Sequence, residues 1–339
     1  CNNLYQRNIP FSLTRLHTCP IESPQFEDDL RWFKGVCAVV NGLKGARIAM
    51  LGARPIAFNT VRYSEKLLQK HGISVQTIDF SEIIFKAMHY NDAEKVVAKI
   101  KEIREYGSVP AWISDEVMEK QAKLCLVIDE AIEDLQCDAS TVQCWDSVEN
   151  NYGCATCLAM SMMGDNGKPS ACESDVTGAL SMLAAWLAAG TAPALMDWNN
   201  NIREERNACV SLHCSNFPKS FFQNDVEIEC LDVLGSTLGK ENCFGACKGH
   251  AGDMTFIRLT TDDQRGTVKA YLGEGVFRDE VIPTKGGVAN CYIENLQNLL
   301  RYVCENGYEH HVCFVRGHVA DILEEALTKY MGIPVYRHR

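Results

Sequence analysis

The hydrophobic positions of this chain follow a helical period in its first half and a strand period in its second half. Apolar residues recur at helical spacing over 26–43, which predicts a helix, and the apolar run at 46–52 predicts a short buried strand. A second helix at 60–71 and a second strand at 73–80 follow in the same way. Because strands joined by helical crossovers pair in parallel, this half is predicted to contain a parallel sheet.

The pattern continues up to residue 190 and then changes. Further elements of the first half are predicted helices at 92–106, 115–135, 152–163 and 176–189 and a strand at 140–145. Short alternating runs then predict strands at 210–214, 226–231, 254–260, 267–272, 274–282 and 308–316, with a hairpin loop at 261–266 and a last helix at 319–330. The chain is therefore predicted to be an α/β protein with two domains. A parallel, Rossmann-like α/β domain spans 1–190, and a mostly antiparallel, β-rich domain, a barrel or a sandwich, spans 191–339.

Two carboxylates bracket the apolar helix predicted at 176–189. Glu173 lies in Ala-Cys-Glu-Ser-Asp just before it, and Asp197 lies in Leu-Met-Asp-Trp-Asn just after it. A carboxylate among apolar residues is costly unless a cation or a proton in transit compensates it, so the pair suggests a site for a hard cation. A further candidate ligand lies in Glu-His-His-Val at 309–312. The alternatives are that Glu173 only interacts with the helix dipole and that Asp197 is an exposed turn residue.

The charge and composition of the chain exclude several classes of protein. With 33 basic and 44 acidic residues the net charge is −11 and no basic tract is present, which argues against nucleic acid and anionic membranes as partners. No apolar run reaches the roughly 18 residues of a membrane helix. The 17 cysteines are odd in number and irregularly spaced, which favours reduced thiols in a cytoplasmic protein over a secreted disulfide scaffold. The chain begins with Cys1, so we expect either a processed N-terminus or a piece of a longer chain.

Several motifs occur in an order that resembles the L-fucose isomerase family. They are Leu-Arg-Trp-Phe at 30–33, Leu-Lys-Gly-Ala-Arg-Ile-Ala-Met-Leu-Gly-Ala-Arg-Pro at 43–55, Ala-Cys-Glu-Ser-Asp-Val-Thr-Gly-Ala at 171–179, Leu-Met-Asp at 195–197, His-His at 310–311, Gly-His-Val at 317–319 and Gly-Ile-Pro-Val at 332–335. Members of that family are manganese-dependent aldose–ketose isomerases related to L-arabinose isomerase. The resemblance covers most of the chain and favours a piece of a longer chain, because the family carries an additional N-terminal α/β domain that we expect to be absent here.

The resemblance implies a metal-dependent isomerase that moves a proton between C1 and C2 of a monosaccharide through an enediol. Glu173, Asp197 and His311 match the family's metal ligands, and Glu173 and Asp197 also match its catalytic proton carriers. Carboxylate-rich ligation suits Mn²⁺, with Mg²⁺ or another divalent cation as the alternatives. The expected partners are a fucose- or arabinose-type sugar and further copies of this chain in a homo-oligomer, which in the family is typically a hexamer.

Four further residues are candidates for binding the sugar. Gln143 and Trp145 end a strand of the first domain, in a region where the family has a substrate-contacting Gln and Trp. His213 follows Asp197 at about the interval at which arabinose isomerases have a ligand histidine. Fucose isomerases do not use a histidine there, so His213 is expected near the substrate or in the core. His310 and His311 should point to opposite faces of a strand, and the family pattern assigns the metal to His311.

Other functions compete with the isomerase. A non-catalytic relative that binds a sugar or a partner chain, or one piece of a larger isomerase, would fit the expected loss of a domain. A zinc or redox protein would use Cys154-Ala-Thr-Cys157 with Cys144 and Cys172, although one CxxC motif alone is a weak signal. Gly-Ala-Arg-Pro at 52–55 lacks the spaced glycines of a phosphate loop, so nicotinamide or ATP use is not supported. Weaker candidate site residues are His250, His318 and Asp321.

Overall fold

Residues 1–145, 147–222, 227–229, 244–246, 251–280, 282 and 286–339 are described by the computed structural model. Their secondary structure divides into a first part rich in helices and a second part rich in strands, which confirms the predicted α/β class. Among these residues no helix is both long and apolar enough to cross a membrane.

The first part is built on a sheet of parallel strands flanked by helices. The strands are β1 Arg47–Leu51, β2 Ser74–Ile78, β3 Ala139–Val142 and β4 Ser170–Ala171. The helices are α1 Asn2–Gln6, α2 Pro24–Leu43, α3 Glu65–Lys70, α4 Phe80–Met88, α5 Ala93–Tyr106, α6 Asp115–Asp134, α7 Ser147–Tyr152, α8 Cys157–Asp165 and α9 Val176–Ala189, with a 3₁₀ helix at Ile56–Val61. The strand order is β2-β1-β3-β4, so the carboxyl ends of all these strands lie along one edge.

The second part is a closed antiparallel barrel. Its strands are β5 Ala194–Asn201, β6 Ala208–His213, β9 Gly252–Asp262, β10 Thr267–Arg278, β11 Gly287–Tyr292 and β12 His311–Arg316. They pair in the order β11-β6-β5-β12-β9-β10, and β10 pairs again with β11, which closes the ring. The other elements here are α10 Lys219–Phe222, β7 Glu227–Glu229, β8 Phe244–Ala246, α11 Leu296–Glu305, α12 Ala320–Glu325, a π-helix at Ala326–Tyr330 and β13 Val335–Arg337.

Helix α9 lies in the core between the parallel sheet and the barrel. It is apolar on nearly all sides, and a helix of that composition must be buried. Leu180 accordingly belongs to one hydrophobic cluster with Ile48 of β1 and Leu259 of β9. Asp175 caps the first turn of the helix, and Gly190 ends it with a φ of 68°, a left-handed conformation that glycine adopts without strain. The residues just before and just after α9 are therefore held at the junction of the two sheets.

Most of the predicted elements are confirmed, and the differences have local causes. The strands predicted at 267–272 and 274–282 are one strand, β10, and the prediction of a break was wrong. Gly273 and Gly275 lie inside this strand and do not end it. Glycine is required at these positions because neighbouring atoms leave no room for a side chain: a Cβ at Gly273 would lie 2.4 Å from the ring of Phe256.

Other differences concern the bounds of elements. The helix predicted at 60–71 is a 3₁₀ helix followed by the shorter α3. The helix predicted at 152–163 begins only at Cys157, as α8, and the preceding α7 ends at Tyr152. The strand predicted at 226–231 is described only over 227–229, and the rest of it lies outside the described residues. The domain boundary at residue 190 stays a prediction.

Candidate active site

Glu173 lies in a sharp turn between β4 and α9. Glu173 and Ser174 both have a φ of 56°, and two successive non-glycine residues in this left-handed region are sterically costly. The turn leads directly to Asp175 at the start of α9, and it leaves the Glu173 carboxylate only 2% exposed. The strain is thus located at a buried acidic residue, which is typical of a functional site.

The two oxygens of Glu173 have different surroundings. The indole Nε1–H of Trp145 donates to Oε1 at 3.1 Å, and the thiol of Cys144 donates to the same atom at 3.6 Å. Oε2 is buried and accepts no hydrogen bond from the described residues. It lies 3.5 Å from Nε2 of His213 and 3.6 Å from Nε2 of His311. One oxygen is therefore fixed by donors, whereas the other faces two imidazoles.

His311 is held by a carboxylate on its far side. Its Nδ1–H donates to Oδ2 of Asp175 at 2.8 Å, and this bond leaves the Nε2 lone pair available. Nε2 lies 3.5 Å from Oδ1 of Asp197 and has no hydrogen-bond partner in the described part of the chain. Burial by itself lowers the pKa of His311, but the hydrogen bond and charge of Asp175, together with Glu173 and Asp197, outweigh it and raise that pKa.

The barrel places Asp197 beside both histidines of the doublet. Asp197 of β5 is the direct register partner of His311 in β12. His310 precedes β12 in a bend and is exposed, and its Nε2 lies 3.6 Å from Oδ1 of Asp197. The expectation that strand alternation would turn one histidine away was wrong, because His310 is not part of the strand.

A buried ion-pair network supports the site from below. Arg258 of β9 is fully buried and donates to both oxygens of Asp175, at 2.5 and 2.9 Å, and to Glu309 at 3.1 Å. Burial alone raises the pKa of Asp175, but the charge of Arg258 and the hydrogen bonds from His311 and Arg258 lower it overall. The network thus keeps Asp175 ionised, so that it remains an acceptor for His311.

Phe58 covers the site from the first part of the chain. It lies in the 3₁₀ helix Ile56–Val61, and its ring centroid is 5.7 Å from that of Trp145, 6.4 Å from that of His310 and 6.1 Å from that of His311. An apolar ring at this position reduces the access of water to the carboxylates below it.

The structure places the remaining predicted site residues at different distances from this centre. His213 of β6 is buried beside Glu173, and its Nδ1 lies 3.5 Å from the thiol of Cys214. Gln143 instead accepts a hydrogen bond from the backbone N–H of Ala53 at 2.9 Å and lines a neighbouring cavity of about 710 Å³ at the carboxyl ends of β1–β3. His318 lies within 3.3 Å of Asp253 and of Glu274 and is half exposed.

Of the weaker candidates, the two that lie among the described residues pair with groups outside the cluster. Asp321 is exposed and lies 3.3 Å from Arg337. His250 lies outside the described residues.

Asp175, Arg258 and Glu309 are site residues that the sequence patterns do not single out. Asp175 reads as an ordinary helix cap, and Arg258 is one polar residue within an apolar strand. A cation in the middle of a predicted barrel strand was the one available signal, since a buried arginine requires a carboxylate partner.

The donor atoms of the cluster fit a divalent cation. Oε2 of Glu173, Oδ1 of Asp197 and Nε2 of His311 are all buried and unpartnered within the described residues, and Nε2 lies 3.5 to 3.6 Å from each oxygen. These two separations are close to those of about 3 to 3.5 Å between neighbouring ligands of one ion bound at about 2.1 Å. Ligand atoms of Asp197, His310 and His311 also lie within 4.8 Å of one another. Two carboxylates and one imidazole form a donor set that suits Mn²⁺ or Mg²⁺.

Comparison with known proteins assigns the chain to a family. Residues 211–339 match the model of the L-fucose isomerase C-terminal domain, and residues 1–44 match that of the fucose/sulfoquinovose isomerase N-terminal domain. The chain belongs to the fucose isomerase family. The N-terminal domain was expected to be absent from this chain. The match at 1–44 shows that part of what the N-terminal model describes is present in this fucose isomerase family member.

The curated relatives of this family member are sulfoquinovose isomerases. That of Priestia aryabhattai is 27% identical over 295 residues, which are 86% of this chain and 64% of the relative. That of Alkalicoccus urumqiensis is 25% identical over 305 residues, 88% of this chain and 66% of the relative. That of Clostridium sp. (strain MSTE9) is 27% identical over 294 residues, which are 84% of this chain and 63% of the relative. The chain therefore spans less than two thirds of the length of these relatives.

Proposed function

We propose that this chain carries the catalytic centre of a divalent-metal-dependent aldose–ketose isomerase that acts on a monosaccharide by proton transfer between C1 and C2. The observation that carries the proposal is that Nε2 of His311 lies within 3.6 Å of a carboxylate oxygen of Glu173 and of Asp197, and that none of these three buried atoms has a hydrogen-bond partner among the described residues. Buried polar atoms without hydrogen bonds are costly, and a bound cation removes that cost. The names of the curated relatives support the same class of reaction.

In this proposal the cation is held by Glu173, Asp197 and His311. It supplies positive charge that stabilises the negative charge developing on the two sugar oxygens. Mn²⁺ is the first choice and Mg²⁺ the second, because the donor set contains two carboxylates and one imidazole.

The two carboxylates provide the acid and the base. Glu173 is positioned by Trp145 and Cys144 through Oε1, so its carboxylate is held where it can take up a proton from a sugar carbon and return it. Asp197 has a side chain that is one quarter exposed and can accept the proton of a sugar hydroxyl. Both groups lie on backbone that is fixed by α9 and by the pairing of β5 with β12.

The sugar would bind between Phe58 and the carboxylates. His310 is exposed at the edge of the cluster and can donate to a sugar hydroxyl, while the ring of Phe58 packs over the histidines. The resemblance of the sequence favours a fucose- or arabinose-type sugar, whereas the relatives favour one that carries a sulfonate.

An arginine near the site bears on the choice of sugar. Arg54 and Ser174 line a common cavity of about 880 Å³, and the guanidinium of Arg54 binds neutral acceptors, the carbonyl of Pro55 and the side chain of Asn59. A guanidinium with neutral partners keeps its charge for an anion. We therefore include sulfonated hexoses among the candidate substrates.

The test is a Mn²⁺ titration with a panel of aldoses, with the ketose measured for the wild type, Glu173→Gln and Asp29→Asn. Asp29 is a matched control, since it is also a buried carboxylate but lies on α2. Metal-dependent turnover that is lost in Glu173→Gln and kept in Asp29→Asn supports the proposal. Fucose, arabinose and sulfoquinovose in the panel identify the sugar.

The competing function is that of a non-catalytic binding relative or of one piece of a larger isomerase. The observation in its favour is that the chain spans less than two thirds of its curated relatives. Binding of Mn²⁺ without turnover of any sugar would favour this reading. The absence of both Mn²⁺ binding and turnover would overturn the metal site itself.

A further inference from the structure

The ring of Phe58 lies over the candidate active site and blocks access to it. Its centroid is 6.1 Å from that of His311 and 6.4 Å from that of His310, separations at which aromatic rings are already in contact. Phe58 belongs to the short 3₁₀ helix Ile56–Val61, which we call the cover segment. A sugar can therefore reach the carboxylates only after the cover segment has moved.

Two flanking arginines hold the cover segment in place. Arg54 donates from Nη1 to Oδ1 of Asn59 at 3.0 Å, and Arg62 donates from Nε to the backbone carbonyl of Asn59 at 3.2 Å. Apolar anchoring is weak, because Val61 is the one buried residue of the segment. Asn59 directly follows Phe58 in the sequence, so the two arginines fix the backbone that carries the ring.

Both guanidiniums have neutral partners and line the same cavity. This is the cavity of about 880 Å³ that Ser174 also lines, and its wall carries four cationic and three acidic side chains. Two of these cations pair with Asp262. The other two are Arg54 and Arg62, whose acceptors in the described part of the chain are carbonyl and amide oxygens. Their charge is thus available to an anion in the cavity.

An anion in this cavity would compete with Asn59 for the arginines. A hydrogen bond from a guanidinium to an oxyanion is roughly twice as strong as one between neutral groups, and a guanidinium binds such a group through two N–H donors. A ligand shifts the equilibrium between two arrangements only if it binds one of them better. Asn59 occupies donors of both arginines while the cover segment is closed. An oxyanion therefore binds the open arrangement better.

We propose that Arg54, Asn59 and Arg62 form a latch, which opens when the two guanidiniums bind an oxyanion, the sulfonate or phosphate group of a ligand. Asn59 is then released, Phe58 moves off the two histidines, and the site becomes accessible. The latch selects sugars that carry such a group, because a neutral sugar meets a closed cover segment. This selection of sugars rests on the proposed isomerase function, whereas the opening of the latch by an anion does not.

Cleavage by chymotrypsin after Phe58 measures the opening, because proteolysis tracks the population of the open form. The full chain, without metal or sugar, is incubated with methanesulfonate, inorganic phosphate or chloride at equal ionic strength, or with dimethyl sulfone, an uncharged molecule of similar shape to methanesulfonate. We expect methanesulfonate or phosphate to raise the rate of cleavage after Phe58 about threefold or more, and dimethyl sulfone to have no effect. Cleavage after Tyr5, which is 77% exposed, is the internal reference.

The outcomes of this experiment separate the two sources of the anion. The anion that acts at the lower concentration identifies the group that the latch recognises, sulfonate or phosphate. Equal rates after Phe58 in all four solutions, or slower cleavage with the anions, would overturn the latch. Because no metal, sugar or variant is used, this result does not depend on the isomerase activity.

The Arg54→Gln variant tests the latch independently. Glutamine leaves no charge at this position for the anion and holds Asn59 less firmly than a guanidinium. Without any anion, we expect cleavage after Phe58 to be about threefold or more faster than in the wild type, and methanesulfonate to have little further effect. Arg31→Gln is the matched control, because Arg31 is an exposed arginine on α2 that pairs with carboxylates of its own helix. A response to methanesulfonate in Arg54→Gln as large as that of the wild type would show that the anion acts elsewhere.

Discussion

Oδ2 of Asp175 lies 2.8 Å from Nδ1 of His311, although the two residues are 136 positions apart in the sequence. This contact fixes the imidazole ring so that its other nitrogen faces Glu173 and Asp197. Arg258 holds Asp175 from the opposite side, and the arrangement therefore has an inner layer of candidate ligands and an outer layer that orients them.

The first prediction concerns the Asp175→Asn variant and metal affinity. Without a carboxylate acceptor at this position, the orientation and basicity of His311 are no longer fixed, and changes of this kind cost about 10- to 100-fold in metal affinity. Free Mn²⁺ measured by electron paramagnetic resonance during a titration reports the change. Asp79→Asn is the control, because Asp79 also caps a helix, α4, by accepting a backbone N–H at 2.8 Å. Equal Mn²⁺ affinities in the two variants would show that Asp175 does not orient the histidine.

The second prediction is the pH dependence of the same variant's stability. Because its pKa is lowered in the folded state, Asp175 stabilises the fold at pH values above its unfolded pKa of about 4, and this contribution is lost as the pH falls towards the lower folded pKa. The loss in free energy of unfolding caused by Asp175→Asn should be largest near neutral pH and should shrink below about pH 4. Urea unfolding of the metal-free proteins at several pH values measures it. A loss that is the same at pH 7 and pH 3 would be inconsistent with an ionised Asp175.

The third prediction concerns Arg258. Arg258→Met removes the guanidinium that pairs with both Asp175 and Glu309, and breaking a buried ion pair from one side costs about 3–5 kcal/mol of unfolding free energy. Arg265→Met is the control on the neighbouring hairpin, where Arg265 is largely exposed and pairs with Asp262 at 3.7 Å. Its effect should be small, since exposed pairs contribute little. Similar denaturation midpoints for both variants would contradict the supporting role of the network.

The fourth prediction concerns the donor to Glu173. Trp145→Phe keeps the aromatic packing against Phe58 but removes the N–H that donates to Oε1 of Glu173. Hydrogen bonds to charged groups contribute about 1.5–3 kcal/mol, so kcat should fall by about tenfold or more while the Mn²⁺ affinity changes less. Trp112→Phe serves as the control because Trp112 is 53% exposed. A kcat equal to that of the control would mean that Trp145 does not position the carboxylate.

The fold was largely predictable because its strongest signals are local. Helix α9 is continuous and apolar over Val176–Ala189, with a capping aspartate before it and a glycine after it, and its observed bounds equal the predicted ones. Strand β5 was not predicted, because Asp197 and a run of asparagines interrupt its apolar pattern. Part of that interruption belongs to the site, since Asp197 is the residue of β5 that lies beside both histidines.

The candidate site was predictable residue by residue but not in its arrangement. Glu173, Asp197 and His311 lie together, yet their contacts depend on the pairing of β5 with β12, which joins distant segments. The same reason applies to Asp175 and Arg258, whose roles appear only when β9 packs against the start of α9. The pairing of strands that are distant in the sequence cannot be predicted from the local spacing of residues.

The pairing of β5 with β12 also bears on how the protein folds. Strand β12 lies between β5 and β9, so the barrel is complete only after a segment from late in the chain inserts between strands that come before it. Such non-local pairings form slowly, since the entropy of loop closure opposes them before any contact is made. Until that insertion, Glu173 and Asp197 have no His311 beside them. Retention of the proposed Mn²⁺ would therefore distinguish molecules that have completed folding from those that have stalled before the last strand inserts.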